Sequence, residues 1–145
     1  MGKDELTAWT EHVQQVMLDE ARERYSERAI THWKTPHNFR ASPIGCVSGR
    51  LTGPCGDTIE IWLEVVDGGI ARAGFLTDGC CSSIMCGSAA AWLVEGLSIP
   101  EVQGVTQQHI LAELGGLPEL ERHCALLSFL VLAEALHSLQ NAGER

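Results

Sequence analysis

A chain of 145 residues, 45% hydrophobic and 20% charged, is long enough to bury a core of its own as one domain. Ten basic side chains against nineteen acidic ones give a formal charge of −9, which excludes nucleic acid as the main partner because phosphate binding needs a surplus of Lys and Arg. An acidic surface keeps a protein in solution or receives a basic protein partner.

The N-terminal stretch MGKDELTAWTEHVQQ has early acids and no apolar core segment, so no secretory leader is expected. The most apolar run, 125–133, is too short to span a bilayer and is followed by Glu134 and His137. A cytoplasmic protein without membrane contact is expected. In a reducing compartment, six cysteines point to metal or thiol chemistry rather than to disulfides.

In chain order, Leu6, Trp9, Val13, Val16 and Met17 recur at helical spacing and predict a helix over 4–24. A second, short helix is expected over 26–33, ended by Pro36, and an irregular stretch over 37–45. Three strands follow, over 47–52, 58–66 and 70–77, the last two joined by the tight turn Asp67-Gly68-Gly69. Alternation in the middle strand puts Ile59, Ile61, Leu63 and Val65 on one face and Glu60, Trp62 and Glu64 on the other. The small-residue run 83–94 predicts a closely packed helix. A short helix opens at Ser98-Ile99-Pro100, another covers 106–114, and the last runs over 123–139. The fold class is α+β: a small antiparallel three-stranded sheet with helices packed around it and an extra N-terminal helix.

The cysteines are Cys46, Cys55, Cys80, Cys81, Cys86 and Cys124, with no CxxC pair of the zinc-ribbon or redox kind. Cys55 lies in the turn Gly53-Pro54-Cys55-Gly56-Asp57, whereas Cys80 and Cys124 stand where helices begin. Free backbone N–H groups and the helix dipole there favour a thiolate, the form that binds soft metal ions and attacks sulfur. Asp57 and His123 add an oxygen and a nitrogen donor to the same group. Cys86, inside a helix, reads as a core residue, and Cys46 as structural. His32, His37, His109 and His137 are isolated in sequence and read as surface or capping residues.

Four separated blocks resemble the IscU/NifU-type iron–sulfur cluster assembly scaffold family: Tyr25-Ser26-Glu27-Arg28-Ala29-Ile30 with His32, Pro36 and Asn38; Pro54-Cys55-Gly56-Asp57; Gly79-Cys80 with Ser82, Ile84 and Gly96; and Leu117-Pro118 with His123-Cys124. The resemblance implies one scaffold domain over 1–145, with 1–24 as a helical extension. It would be a carrier rather than an enzyme, taking sulfur from a PLP-dependent cysteine desulfurase and iron from a donor. It would build a labile cluster, expected as [2Fe–2S], and pass it to apo-proteins.

By position, the resemblance makes Cys55, Asp57, Cys80, His123 and Cys124 the cluster and metal ligands. Zinc suits the same mixed S, N and O donors. Cys81 stands where the family usually has Gly and is the alternate ligand or a sulfur acceptor. The family's chaperone-recognition stretch usually ends in Lys; Glu121 inverts that charge, so a dedicated heat-shock chaperone is not expected. The N-terminal helix is left open between homodimerisation and partner docking. The alternative function is a SufU-like zinc-dependent sulfurtransferase partner of a desulfurase. That branch typically carries an insertion before the last block and lacks the adjacent histidine, so His123 favours the scaffold.

Overall fold

The computed structural model describes residues 2–143, with side chains to residue 140. Met1, Glu144 and Arg145, the ends of the expected domain, lie outside the described residues. The order is α1 (Lys3–Arg24), α2 (Glu27–Lys34), β1 (Val47–Thr52), β2 (Thr58–Val66), β3 (Gly69–Thr77), α3 (Cys81–Val94), α4 (Ile99–Gln103), α5 (Gln107–Glu113), a 3-10 turn at Glu119–Glu121 and α6 (His123–Gly143).

The strands form one antiparallel sheet in the order β1-β2-β3, with Gly49 and Phe75 flanking Ile61 in register. Ile59, Ile61, Leu63, Ala73 and Phe75 are buried on one face beneath α3 and α6. Each isoleucine, leucine or phenylalanine among them contributes roughly 1.5–3 kcal/mol by leaving water. α3 is apolar or small on nearly every side. Most of it between Ser82 and Val94 is buried between the sheet, α2, α5 and α6, as an all-round apolar helix must be, with Trp92 left exposed.

Trp62 departs from its polar neighbours. Alternation sets it on the outer face with Glu60 and Glu64, yet it is fully buried. The reason lies opposite it on β3: a Cβ on Gly74 would stand 2.2 Å from the Trp62 ring, so the ring lies over bare backbone. The stretch expected to be irregular closes over it. Arg40 accepts the indole N–H on its carbonyl at 3.0 Å and lays its guanidinium 5.5 Å from the ring centroid.

Two further expectations are corrected. α6 runs 21 residues rather than ending at 139, and the stretch Glu119–Gln140 is long and apolar enough to cross a membrane. Its Val131, Leu132 and Ala135 are instead buried in the sheet-facing core. α1 forms as expected but buries no residue; Leu6, Trp9, Val16 and Met17 remain exposed because only its C-terminal turns reach α2.

Candidate metal centre

Three connections meet at one end of the sheet. The β1–β2 turn is closed by Gly53 N–H to Asp57 O at 2.8 Å and Gly56 N–H to Gly53 O at 3.0 Å, which presents Cys55 and Asp57. The link from β3 to α3 is tied to the start of β2 by Thr58 N–H donating to Asp78 Oδ1 at 2.9 Å. Cys80 occupies the N-cap position of α3, whose first residue, Cys81, lies two residues before the predicted helix start. The 3-10 turn leads into α6, whose first two residues are His123 and Cys124.

Gly79 serves close approach, not turn geometry. A Cβ there would sit 2.6 Å from Ser83 Oγ and 2.9 Å from Asp57 Cγ, so only glycine lets the two connections pack.

The donor atoms converge. One oxygen or sulfur each from Asp57, Cys80 and Cys124 all lie within 4.8 Å of one another. Cys80 Sγ is 3.7 Å from Asp57 Oδ2. His123 Nε2 is 3.6 Å from Cys55 Sγ and 3.5 Å from Cys124 Sγ. Ligands about 2.0–2.3 Å from one tetrahedral ion stand roughly 3.3–3.8 Å apart, so these separations suit a metal-sized occupant. Cys55, Cys80 and His123 are exposed, Asp57 is half-buried and Cys124 is 1% exposed. The site is a rim with one buried wall.

His123 Nδ1 is 2.9 Å from the Leu120 carbonyl, which can only accept. Nδ1 therefore carries the proton, and Nε2 turns its lone pair toward the thiols, the tautomer a metal ligand needs.

Two residues given no role in the sequence form the floor. Ser82 Oγ lies 3.0 Å from Cys80 Sγ and 3.5 Å from Cys124 Sγ. Ser83 Oγ donates to Asp57 Oδ2 at 2.9 Å and lies 3.7 Å from Cys124 Sγ. Both serines are fully buried. They split the thiols electrostatically. At Cys80 burial pushes the thiol up, but hydrogen bonds from the side chains and backbones of Ser82 and Ser83 outweigh it, leaving Cys80 below its ordinary value. At Cys124 burial wins over the same serines, and repulsion from Cys80 and Asp57 adds to it, so Cys124 is held above.

Residues 24–143 match the family described as the NifU-like N-terminal domain. The chain is 36% identical over 109 residues to the iron–sulfur cluster assembly scaffold protein IscU of Escherichia coli K12, covering 72% of this chain and 84% of that one. It is 31% identical over 116 residues to IscU 1 of Archaeoglobus fulgidus, covering 77% and 74%. The chain belongs to the NifU-like N-terminal domain family. Its fold is shared with a NifU-like N-terminal protein of Brucella abortus (TM-score 0.63, 18% identity, 80% and 94% covered). It is shared also with a SUF-system scaffold candidate of Fervidobacterium islandicum (TM-score 0.61, 16% identity, 77% and 96% covered).

Within this NifU-like domain the remaining sequence candidates sit elsewhere. Cys81 Sγ lies 3.5 Å from Tyr25 OH and lines a groove of about 290 Å³ with Met17, Arg24, Trp33 and Met85. Cys86 is wholly buried, as expected of a core thiol. His109 caps α5, taking Thr106 N–H at 3.0 Å. His32 and His37 are not surface residues: His32 spans Ser88 Oγ at 2.7 Å and Glu113 at 3.2 Å, and His37 Nε2 meets Glu95 at 2.8 Å.

Proposed function

We propose that this chain is a scaffold on which an iron–sulfur cluster is assembled and from which it is handed on, acting as one domain with α1 as an extension. The observation that carries the reading is the convergence of three thiols, one imidazole and one carboxylate on a half-open rim. All six cysteines are free, in keeping with a cytoplasmic setting.

Iron and sulfide are cargo here, and Cys55, Cys80, Cys124 and His123, with Asp57, are the groups that would hold them. Cys80 is the natural sulfur acceptor because it is exposed and its thiolate is favoured. Its sulfur attacks the outer sulfur of a persulfide on a PLP-dependent desulfurase. A new S–S bond forms, the old one breaks, and the donor leaves as a thiolate. Two electrons from an external reductant then free sulfide for iron brought by a donor protein. Four donors drawn from these five would fit a [2Fe–2S] unit, and oxygen or nitrogen ligation would leave it more labile than four thiolates would. Apo-proteins that require a cluster would receive it.

The test is anaerobic reconstitution with iron, cysteine and a desulfurase, followed by visible absorption and metal analysis. Charge-transfer bands with near-equal iron and sulfide, lost in Cys55→Ala, Cys80→Ala and Cys124→Ala, are expected. A colourless protein that keeps one zinc and stimulates the desulfurase would replace the scaffold with a zinc-dependent sulfurtransferase.

A further inference from the structure

The segment that delivers His123 and Cys124 is weakly held by its own backbone. Its hydrogen bonds are local: Glu121 N–H to Pro118 O at 2.9 Å, Arg122 N–H to Glu119 O at 3.4 Å, and Arg122 Nε to Leu117 O at 3.4 Å. Among the described residues, its side-chain bonds to distant parts of the chain come from Glu121 alone. One carboxylate oxygen accepts from the Tyr25 hydroxyl, and the other faces Arg24 Nη2 at 3.3 Å.

Those two contacts differ in weight. The Arg24 side chain is 62% exposed, so its ion pair contributes little. Tyr25 is 8% exposed and the Glu121 side chain 17%, so the phenol's bond is sheltered from water and is the stronger tie.

The phenol also reaches the second site connection. Cys81 Sγ stands 3.5 Å from Tyr25 OH, one residue after Cys80. Because the hydroxyl hydrogen goes to the Glu121 carboxylate, the phenol oxygen is left to accept from the Cys81 thiol. One hydroxyl thus joins the residue after Cys80 to the residue two before His123.

The geometry points to Tyr25 and Glu121 as positioning residues for the metal centre: a latch, outside the donor set, that holds the 3-10 turn so that the Leu120 carbonyl can fix the His123 ring. This inference rests on the site reading above. It gives Glu121 a role in which the inverted charge is required, since a lysine there would face Arg24 and could not accept from the phenol. It also assigns Cys81 a place in the latch rather than among the donors.

The experiment uses the full chain and Co²⁺ as the probe, with Tyr25→Phe, Glu121→Ala, Glu121→Gln and Glu121→Lys. Each protein is titrated with Co²⁺ by its visible absorption. Metal-free samples are followed by amide hydrogen exchange and thermal melting. Loss of one sheltered hydrogen bond to a carboxylate predicts about a tenfold or greater rise in the Co²⁺ dissociation constant for Tyr25→Phe and Glu121→Ala. Exchange should quicken in 119–125 but not in β2. Glu121→Gln, which keeps an acceptor oxygen, should fall between wild type and Glu121→Ala, and Glu121→Lys should be worst.

Tyr25→Phe with wild-type Co²⁺ affinity and wild-type exchange in 119–125 would overturn the latch. Exchange rising equally in β2 would also overturn it, by making Tyr25 a core residue only. If the wild-type chain binds no Co²⁺, the site reading fails, and the exchange of 119–125 in metal-free protein still decides the latch.

Discussion

Replacing Ser82 by Ala should make Cys80 a poorer thiolate without disturbing the fold. The hydroxyl stands 3.0 Å from Cys80 Sγ, and it is among the hydrogen bonds that hold this thiol below its ordinary value against the cost of burial. A hydrogen bond to a charged group contributes about 1.5–3 kcal/mol when sheltered. Cys80 is exposed, so solvent screening reduces that to the order of one pH unit. The pH midpoint for alkylation of Cys80 should therefore rise by about one unit in Ser82→Ala. Below the midpoint the thiolate fraction falls about tenfold. A more basic thiolate is the better nucleophile, with a Brønsted slope near 0.4–0.5, so the net rate should drop about three- to fourfold. Iodoacetamide labelling of the metal-free protein, read peptide by peptide by mass spectrometry from pH 6 to 10, gives the profile. Cys55, which Ser82 does not contact, is the internal control. The linked stability has a definite sign. A thiol whose folded pKa is depressed contributes stability above its unfolded pKa and loses it as pH falls through the folded one, so the wild type should gain on Ser82→Ala only toward alkaline pH. An unchanged Cys80 profile in Ser82→Ala would refute the assignment of the serines as the source of the thiolate.

Four further outcomes are expected. Asp57→Ala should keep or strengthen cluster binding and slow transfer to an apo-acceptor, because a labile oxygen donor is gone; faster transfer would contradict it. Gly79→Ala should weaken Co²⁺ binding by at least about tenfold with little change in melting temperature, since the added Cβ would lie 2.6 Å from Ser83 Oγ and 2.9 Å from Asp57 Cγ and must push the link that carries Cys80 away from the rest of the site. Cys86→Ser should cost about 1–3 kcal/mol by urea unfolding while metal content stays unchanged, because a hydroxyl replaces a fully buried thiol. Glu95→Gln should cost about 1–2 kcal/mol at pH 7 and progressively less as pH falls below the ordinary glutamate range. Burial raises the Glu95 carboxyl, but Ala73 N–H at 3.0 Å and His37 at 2.8 Å outweigh it, so its folded pKa is depressed and its contribution fades as pH falls through that value.

The sheet and the order of helices were legible because they rest on short-range signals: period-two alternation in β2, the Asp67-Gly68-Gly69 turn, and Ser26, Ser98 and Thr106 at helix starts. The Trp62 environment was not, because its cover comes from Arg40 and from the absence of a side chain at Gly74, both remote in sequence. That Cys55, Cys80 and Cys124 stand on connections, at a turn and two helix starts, could be read from the sequence. What could not be read is how α3 aims its first residues. A helix starting at Cys81 points Ser82 and Ser83 into the site and turns Cys81 toward Tyr25, whereas a start at Ser83 leaves the direction of all three undetermined. Glu121 was visible as a charge inversion, but its partner lies 96 residues away in sequence and only packing reveals it.

The donors fall into two sets with different freedom, and this bears on how a carrier releases its cargo. Cys124 is buried and shares the hydroxyls of Ser82 and Ser83 with Cys80 and Asp57, so this wall is fixed by the start of α3. Cys55 sits on an exposed turn, and His123 is oriented by a single carbonyl of a turn that is itself latched from outside. Burial holds Cys124 above its ordinary value, whereas at Cys80 hydrogen bonds from Ser82 and Ser83 outweigh burial and hold the thiol below its own. On the proposed reading, the exposed Cys80 would take cargo first and the buried Cys124 would complete the site. Release would then start from the exposed side, where losing Cys55 or His123 to water requires no unsatisfied group to remain in the core. Any partner that pulls on the 119–121 turn would then loosen His123 first, leaving the Cys80–Cys124 wall to hold the cargo until an acceptor's own thiolates replace it.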